Sequence, residues 1–297
     1  MGIQTTFSIK DLENLSGIKA HTIRIWEKRY NLLQPIRTDT NIRTYDIKNL
    51  QRILNVSLLN QNGFKISKIA ELGETGINKN VENLCAFSSN TGSAVNHLKM
   101  AMLNFDRQLF NKTYNKLLAK QSFSQVFYTV FLRFLDDIGK LWSCSTITPA
   151  HEHFIFTLIK QKLLLNIESV PTAIVNPDKA FVLFLPINEI HELGLLYIHY
   201  ELLLKGYNSI YLGPSVPIDN LLELQKTFKE TEFISYFTVA PACDNCENYI
   251  SEIQENVLKS RHENFHILGR KTEQINKISF SKNIKFYGDI NELTSQF

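Results

Sequence analysis

The sequence has few cysteines, no long hydrophobic run and no catalytic motif. Four cysteines in 297 residues are too few for a disulfide framework, which favours a reducing compartment. No apolar run reaches the roughly 18 residues that a membrane span needs, and residues 1–6 lack the basic and then apolar order of a secretory signal. There is no nucleophile–base pair and no phosphate-binding glycine loop. These absences predict a cytoplasmic protein that neither crosses a membrane nor acts as an enzyme.

Positive charge is concentrated near the N-terminus, although the whole chain carries a net charge of only +3. Residues 1–76 contain 11 Lys and Arg against 7 Asp and Glu, a surplus of 4, whereas the remaining 21 basic and 22 acidic residues nearly cancel. A basic module favours contact with a polyanion such as DNA.

The order of predicted elements indicates three domains. Short helices and a polar stretch occupy residues 7–73, and a Gly- and Asn-rich stretch at 73–80 predicts a linker. Long amphipathic helices follow at 94–165, and beyond residue 176 short apolar runs alternate with helices, which is typical of a parallel, doubly wound sheet. We therefore expect an α and α/β protein with a winged helix-turn-helix at 1–76, a central four-helix bundle at 77–175 and a Rossmann-like doubly wound parallel sheet at 176–297.

Several residues mark the expected ends of helices. Ser8 is a plausible N-cap, Gly17 makes a turn before a second helix, and Asp46 caps a third. Thr148 before Pro149 is a helix start signal. A single amphipathic helix is expected at 123–142. The predicted strands are residues 181–185, 209–212, 233–239, 265–268 and 284–287.

The second helix and the polar stretch after it carry the residue types that contact DNA. In a helix-turn-helix the second helix enters the major groove. The planar fork of arginine suits both phosphate and guanine edges, and arginines on a wing would meet backbone phosphates. Lys28 and Arg29 fit either a DNA contact or a solvated charge. The predicted DNA-binding residues are His21, Thr22, Arg24, Tyr30, Arg37, Arg43 and Tyr45.

The segment His21-Thr-Ile-Arg-Ile-Trp-Glu-Lys-Arg-Tyr30, followed by Pro-Ile-Arg37 and Arg43-Thr-Tyr45, resembles the winged-helix domain of MerR-family regulators. The resemblance implies binding to a double-stranded DNA operator of near-palindromic sequence by a homo-oligomer. Within this module the apolar side chains Trp26, Leu32 and Leu33 are expected to be core.

The motif Glu189-Ile-His191-Glu-Leu-Gly194 directly follows the first predicted strand of the C-terminal part. Ligands of doubly wound sheets bind beyond the carboxyl ends of the strands, so this loop would hold His191 at the binding edge. Glu189 would hydrogen-bond one nitrogen of His191, as carboxylates do beside metal-ligating histidines. Gly194 would let a bulky ligand approach the backbone. A lone histidine in such a loop more often has no ligand, so these residues alone leave its role open.

This loop resembles the cobalamin-binding domain, whose signature is Asp-x-His-x-x-Gly or Glu-x-His-x-x-Gly. The resemblance implies that His191 coordinates cobalt from below. It also implies cofactor contacts from Ser235, Phe237 and Gly269, with the serine region around the buried nucleotide tail. Leu268 stands where the family has the first glycine of a Gly-Gly pair, which adds a side chain near the expected tail.

Trp142 and the pair Glu152-His153 lie on predicted helices of the central part, with nine residues between them. An isolated tryptophan at a helix end is typically core. The arrangement, however, resembles the helical cap of cobalamin-dependent methyltransferases and of CarH/LitR-type photoreceptor repressors. It implies that these three side chains face the upper axial side of the corrin, with the indole over an adenosyl group and Glu152 near ribose hydroxyls. Ser143 is a poor metal ligand, so ligation from this side would come from elsewhere, for instance His153.

A second metal pattern is Cys243-x-x-Cys246 followed by His262 and His266, which matches zinc-finger spacing. A crossover helix at 247–261 would be about 22 Å long at 1.5 Å per residue. It would place His262 far from the cysteines, whereas each zinc ligand lies within about 2.3 Å of the metal. We therefore expect no zinc site.

The two resemblances together predict a DNA-binding transcriptional regulator, expected to be a repressor, whose oligomeric state and operator affinity are controlled by cobalamin. Adenosylcobalamin is the expected cofactor, which would make light a trigger. The expected partners are operator DNA and further copies of the chain, as a dimer or tetramer. One alternative is a MerR-type regulator whose vestigial cobalamin domain acts through protein contacts. Another is a corrinoid carrier for methyl transfer, which leaves the basic module without a role.

Overall fold

The computed structural model forms two compact units, one ending at Ile159 and the other spanning Lys160–Phe297. The predicted domain boundaries after residues 76 and 175 stay predictions. The structure describes residues 6–38, 40–87, 91–171, 174, 177–242, 245–258, 263–277 and 280–297.

Two short helices and a small antiparallel sheet begin the first unit. Ser8 caps α1 (Ile9–Ser16) through a capping box with Asp11. Gly17 ends this helix with a φ of 75°, in the left-handed region that glycine adopts readily. Helix α2 (Ala20–Tyr30) follows at once, as a helix-turn-helix requires. The sheet has the order β1-β3-β2, with strands β1 (Thr6–Phe7), β2 (Ile36–Arg37) and β3 (Arg43–Asp46).

Helix α3 (Ile47–Gln61) begins where the sequence predicts. The Asp46 side chain accepts the backbone N–H of Asn49 at 2.8 Å, which confirms the expected cap. The short helix α4 (Ile66–Glu71) follows.

The predicted linker at 73–80 is wrong, because helix α5 (Gly73–Phe87) covers it. Ile77 and Val81 are four positions apart and are only 1% and 4% exposed, and α5 packs on α3. Burial of this apolar stripe outweighs the low helix propensity of the glycines and asparagines.

The remainder of the first unit is a helical bundle, and four aromatic rings at 110, 114, 127 and 131 pack in its core. The single amphipathic helix expected at 123–142 is interrupted by a π-helical turn at Phe127–Phe131. The next helix begins at Pro149, as its start signal predicts. The helices are α6 (Thr91–Leu103), α7 (Arg107–Leu118), α8 (Phe123–Val126), α9 (Leu132–Ser143) and α10 (Pro149–Glu168).

The second unit contains five parallel strands in the order β5-β4-β6-β7-β8, which confirms the predicted doubly wound sheet. The strands are β4 (Lys179–Phe184), β5 (Asn208–Gly213), β6 (Glu230–Tyr236), β7 (Glu263–Leu268) and β8 (Ile284–Phe286). The helices between and after them are α11 (Leu193–Leu204), α12 (Leu221–Thr227), α13 (Cys246–Asn256) and α14 (Ile290–Thr294). None of the helices in the described part of the chain combines the length and the apolar character that a bilayer span requires.

Successive side chains along each strand point to opposite faces of the sheet. Val182 and Phe233 join Ile250 of α13 in one hydrophobic core. On the other face, Phe181 contacts the rings of Tyr207 and Phe297 at 4.9 and 4.7 Å between centroids. Both faces are therefore covered, and the carboxyl ends of the strands form the edge where ligands of such sheets bind.

Candidate functional site

Glu189 joins two loops at the carboxyl edge of the sheet. Its side chain is fully buried in the loop after β4. Oε2 accepts three consecutive backbone N–H groups of the loop after β6, those of Thr238, Val239 and Ala240, at 3.0, 2.6 and 2.8 Å. One buried carboxylate thus fixes the distance between the two loops.

The same carboxylate orients the imidazole of His191. Oε1 lies 2.6 Å from Nδ1 and accepts the backbone N–H groups of Ile190 and His191 at 3.0 Å each. Burial disfavours ionisation of Glu189, but hydrogen bonds from His191 and the backbone outweigh it and lower the pKa of Glu189 to about 2. An ionised carboxylate only accepts, so Nδ1 carries the proton and Nε2 is the nitrogen able to bind a metal. The predicted Glu189–His191 bond is confirmed.

Large aliphatic side chains flank this imidazole on both loops. Ile187, Ile190 and Val239 are 54%, 63% and 58% exposed, and the side chain of His191 is 32% exposed. Neighbouring exposed aliphatic groups mark surfaces that bind a partner or ligand. The carboxyl edge of the sheet therefore offers a ligand both apolar side chains and an imidazole nitrogen. Sequence reasoning missed these three residues, because nothing in the pattern separates them from core aliphatics.

Ser235 lies near the end of β6 and is fully buried, and its Oγ has no hydrogen-bond partner among the described residues. An unsatisfied buried hydroxyl costs on the order of 1–3 kcal/mol. A cofactor that reached this hydroxyl would supply the missing partner. This observation fits the predicted contact between Ser235 and a cofactor.

Three other predicted contacts need correction or qualification. Phe237 is fully buried and its ring lies 5.8 Å from that of Tyr249, so its side chain belongs to the core and does not face a ligand. Gly269 has a φ of 104°, and a Cβ there would lie 2.2 Å from the carbonyl oxygen of Phe237, so backbone packing alone requires glycine. Gly194 faces the ring of Tyr236, which would lie 3.0 Å from an added Cβ. Tyr236 occupies the space that a ligand was expected to approach.

Glu192 is a second carboxylate of the motif that sequence reasoning did not use. It accepts the hydroxyl of Tyr211 at 2.7 Å and pairs with Lys160 at 2.5 Å. Burial and this hydrogen bond raise the pKa of Tyr211. Glu192 thereby fixes the start of α11 against β5, and its position next to His191 was the signal that could have found it.

Helix α2 presents a polar, basic face to solvent. His21, Arg24 and Lys28 are exposed and lie on one face of the helix, and Thr22 is partly exposed beside them. Trp26 on the opposite side is only 8% exposed. Leu32 and Leu33 are buried as well, which confirms the three predicted core residues.

The two arginines of the wing, Arg37 and Arg43, differ in exposure and in the partners of their guanidinium groups. Arg37 is exposed and donates to Asn41 Oδ1 at 2.6 Å. Arg43 lies with Nε 3.3 Å from Glu27 Oε2, and about a third of its side chain is exposed.

The structure corrects the prediction for Tyr45. This residue is fully buried, its hydroxyl donates to Glu27, and burial raises its pKa. A phosphate cannot reach that hydroxyl without disrupting the core. Tyr30 is partly exposed, and its ring lies 6.0 Å from the guanidinium carbon of Arg29.

Comparisons with known proteins bear on both regions. Residues 7–74 match the MerR HTH family regulatory protein model, and residues 94–165 match the B12 binding domain model. The chain is 24% identical over 263 residues to the HTH-type transcriptional repressor CarH of Myxococcus xanthus, with 85% of each chain covered. It is also 24% identical over 217 residues to the repressor CarA of the same organism, with 71% of this chain and 69% of that one covered.

The chain is a homologue of CarH and CarA. It contains a MerR-type helix-turn-helix domain and a B12-binding domain. Among solved structures, the monomethylamine corrinoid protein of Methanosarcina barkeri has a TM-score of 0.51 and 13% identity, with 67% of this chain and 94% of that one covered. At this identity the likeness shows a shared fold, and it agrees with the helical and Rossmann-like architecture described above.

The B12-binding domain carries Trp142 on the last turn of α9. Its side chain is 47% exposed, so the alternative that it is core is wrong. Glu152 lies in the first turn of α10 and is partly exposed, and His153, the next residue, is exposed. Their contacts with a cofactor stay predictions.

The zinc-finger pattern forms no cluster that the structure describes. Cys243 and His262 lie outside the described residues. Cys246 is buried and donates to the carbonyl of Pro241 at 3.4 Å, and His266 is held by Glu232 inside the sheet. The described residues contain no group of three or more side chains able to hold a metal ion.

Proposed function

We propose that this protein is a transcriptional repressor whose affinity for an operator is controlled by cobalamin. The observation that carries the proposal is the Glu189–His191 pair, set between exposed aliphatic side chains, in a chain that also presents the basic face of α2. The named relatives are transcriptional repressors and not enzymes, which supports a regulatory role.

His191 is proposed to bind cobalt through Nε2, while Glu189 holds its Nδ1 proton. Ser235 would offer its hydroxyl to the nucleotide tail, and the exposed aliphatic side chains would contact the corrin ring. Trp142, Glu152 and His153 are proposed as further cofactor contacts. Bound as adenosylcobalamin, the group would supply a cobalt–carbon bond that light can break.

DNA binding is proposed for the MerR-type domain through His21, Thr22 and Arg24 on α2 and through Arg37 and Arg43 on the wing, with Tyr30 at the end of α2. Arginine and lysine side chains there would neutralise phosphates, so affinity would fall steeply with salt. A homo-oligomer would place two such helices on two half-sites.

Control by the cofactor requires that cobalamin and operator favour different arrangements of the protein. A ligand shifts an equilibrium only by its differential affinity for the two states. The operator then changes cobalamin affinity by the same factor that cobalamin changes operator affinity.

The proposal is tested by incubating purified protein with adenosylcobalamin in the dark, desalting it, and recording absorbance, elution volume and operator affinity before and after illumination. Retained corrin with a change in operator affinity supports cobalamin control, and a change only after illumination supports light dependence. His191→Ala should lose corrin while keeping the operator affinity of cofactor-free wild type. Loss of both would contradict the assignment of His191.

A second candidate is a regulator whose B12-binding fold acts only through protein contacts. The ring of Tyr236 against Gly194 and the buried Leu268 favour it, because both add bulk near the expected tail. Absence of retained corrin in wild-type protein would select this alternative. A corrinoid carrier for methyl transfer leaves the basic face of α2 without a role.

A further inference from the structure

Helix α9 is tied to α1, the first helix of the MerR-type domain, by two polar contacts inside the first unit. Asn14 Nδ2 on α1 donates to Thr146 Oγ1, in the loop after α9, at 2.8 Å. Lys99 Nζ on α6 lies 2.8 Å from Asp137 Oδ2 on α9 and donates to the carbonyl of Leu15 on α1 at 3.4 Å. The helix that carries Trp142 is therefore connected to the DNA-binding domain through side chains.

The contact through Lys99 is buried, since this residue is only 7% exposed. A buried ammonium is stable only when its charge is paired. Asp137 supplies the opposite charge, and the C-terminal end of α1, the negative end of the helix dipole, supplies a second acceptor. Ser57 on α3 donates to the adjacent carbonyl of Ser16 at 2.9 Å. The end of α1 is thus fixed by defined partners on α6 and α3.

The contact through Thr146 begins at the turn that carries Trp142. The backbone N–H of Ser145 donates to the carbonyl of Trp142 at 2.9 Å, and that of Thr146 donates to the carbonyl of Leu141 at 3.0 Å. Thr146 is 1% exposed. A displacement of this turn therefore moves the hydroxyl to which Asn14 donates.

On its other side, α1 sets the start of α2. Glu13 accepts the backbone N–H of Ala20, the first residue of α2, at 3.1 Å and the ammonium of Lys19 at 3.2 Å. Lys19 is the N-cap of α2 and makes no capping bond with its own side chain. Glu13 supplies the acceptor that a cap normally provides. A shift of α1 is passed to the helix that carries Arg24.

We infer that Asn14 and Lys99 are positioning residues that couple cobalamin binding at the Trp142 turn to the orientation of the operator-binding helix. The inference rests on the proposed function. One connection runs from the Trp142 turn through Thr146, Asn14 and Glu13 to the start of α2. The other runs from Asp137 on α9 through Lys99 to the end of α1. Neither positioning residue belongs to the proposed DNA-binding or cofactor-binding set.

The test measures operator affinity with and without saturating adenosylcobalamin in the dark, using fluorescence anisotropy and a duplex that the wild-type protein selects from a random library. The ratio of the two affinities is the coupling factor. Thr146→Val keeps the shape of the side chain and removes the acceptor. We expect it to reduce the coupling factor by about two- to thirtyfold while corrin is still retained. Asn14→Ala should do the same, and the double variant should lose no more than either single variant, because both remove one contact.

Thr113→Val is the matched control. Its hydroxyl donates to the carbonyl of Leu109 within α7 at 2.8 Å, so the variant loses a comparable hydroxyl away from the route. It should keep the wild-type coupling factor. Lys99→Met tests the second connection in the same assay. If loss of the buried charge prevents this variant from folding, the isosteric Thr146→Val still tests the inference through the first connection.

The outcomes separate the two proposals. Wild-type protein that retains corrin but has a coupling factor of one would overturn the proposed function, and this inference with it. A wild-type factor different from one that is unchanged in Thr146→Val and Asn14→Ala would overturn this inference alone. A reduced factor in the variants and not in Thr113→Val would support both.

Discussion

Two histidine–glutamate pairs occupy the same α/β unit, one at the edge of the sheet and one in its interior. His191 Nδ1 lies 2.6 Å from Glu189, and His266 Nε2 lies 2.7 Å from Glu232. The other nitrogen of His266 is 2.8 Å from the hydroxyl of Tyr287, and His266 is fully buried. His191 is partly exposed in the loop between β4 and α11. A histidine–glutamate pair therefore does not by itself define a ligand site. What distinguishes the two pairs is whether the imidazole lies at the accessible edge of the sheet or in its interior.

The two carboxylates are satisfied in different ways. Glu232 pairs with Lys179 at 2.9 Å as well as with His266, so the interior pair is one part of a side-chain network. Glu189 is held by five backbone N–H groups, which fixes the carboxylate independently of the imidazole. The interior pair therefore contributes mainly to the stability of the fold, whereas the edge pair orients the imidazole of His191 and contributes little to stability.

The first and largest contrast is expected between His266→Ala and His191→Ala. Removing His266 leaves a cavity and strips a buried partner from Glu232 and Tyr287, which should lower the free energy of unfolding by about 4 kcal/mol. Removing His191 should change it by less than about 1 kcal/mol, because the backbone still satisfies Glu189. Urea titrations of the cofactor-free proteins measure both values. Equal losses would contradict the division into a structural and a ligand-binding pair.

Acid should also lower the free energy of unfolding, and the loss expected from each glutamate is somewhat smaller than that expected for His266→Ala. The pKa of Glu189 and that of Glu232 are each lowered from 4.5 to about 2, in both cases because hydrogen bonds outweigh the opposing effect of burial. A carboxyl with a lower pKa in the folded state stabilises the fold above its unfolded pKa and loses that contribution as pH falls. We expect about 3 kcal/mol for each carboxyl to disappear between pH 4.5 and 2, at about 1.4 kcal/mol per unit.

Urea midpoints at pH 5, 4 and 3 measure this loss. Glu232→Gln should flatten the pH dependence, and Glu252→Gln, on the exposed side of α13, should keep the wild-type slope. If Glu232→Gln kept the wild-type dependence of the urea midpoint on pH, the ionisation of Glu232 would not contribute to the acid sensitivity of the fold.

Within the interior pair, the smallest effect is expected for Tyr287→Phe. The variant removes the hydroxyl 2.8 Å from His266 Nδ1 and keeps the ring, whose centroid lies 5.6 Å from that of the imidazole. Loss of one neutral hydrogen bond should cost about 1 kcal/mol. Thermal denaturation checks the value, and corrin retention should equal that of wild type. A change in corrin retention would connect the interior pair to the edge.

Local chemistry made the regular elements predictable. Ser8, Gly17 and Asp46 act at helix ends as their side chains or φ values dictate, and the five apolar runs became the five parallel strands. The Glu189–His191 bond was also predictable, because two residues in one short loop meet whatever the rest of the chain does.

Tertiary packing decided what local patterns could not. The sequence at 73–80 is typical of a linker but is helical, because α5 packs on α3 and Ile77 is buried. Tyr45 and Phe237 carry side chains suited to contacts with DNA or a cofactor, yet both are fully buried. Exposure depends on partners that lie far away in sequence, and a local pattern does not contain them.

The sequence by itself determined the helix-turn-helix, the doubly wound sheet and the position of His191 after a strand, since each depends on neighbouring residues. Only the tertiary structure decided that Glu189 collects its three further donors from residues 49 to 51 positions away, and that Lys99 is buried between α1 and α9. Hydrogen bonds and ion pairs act over about 3 Å. Which distant groups come that close is fixed only when the cores pack.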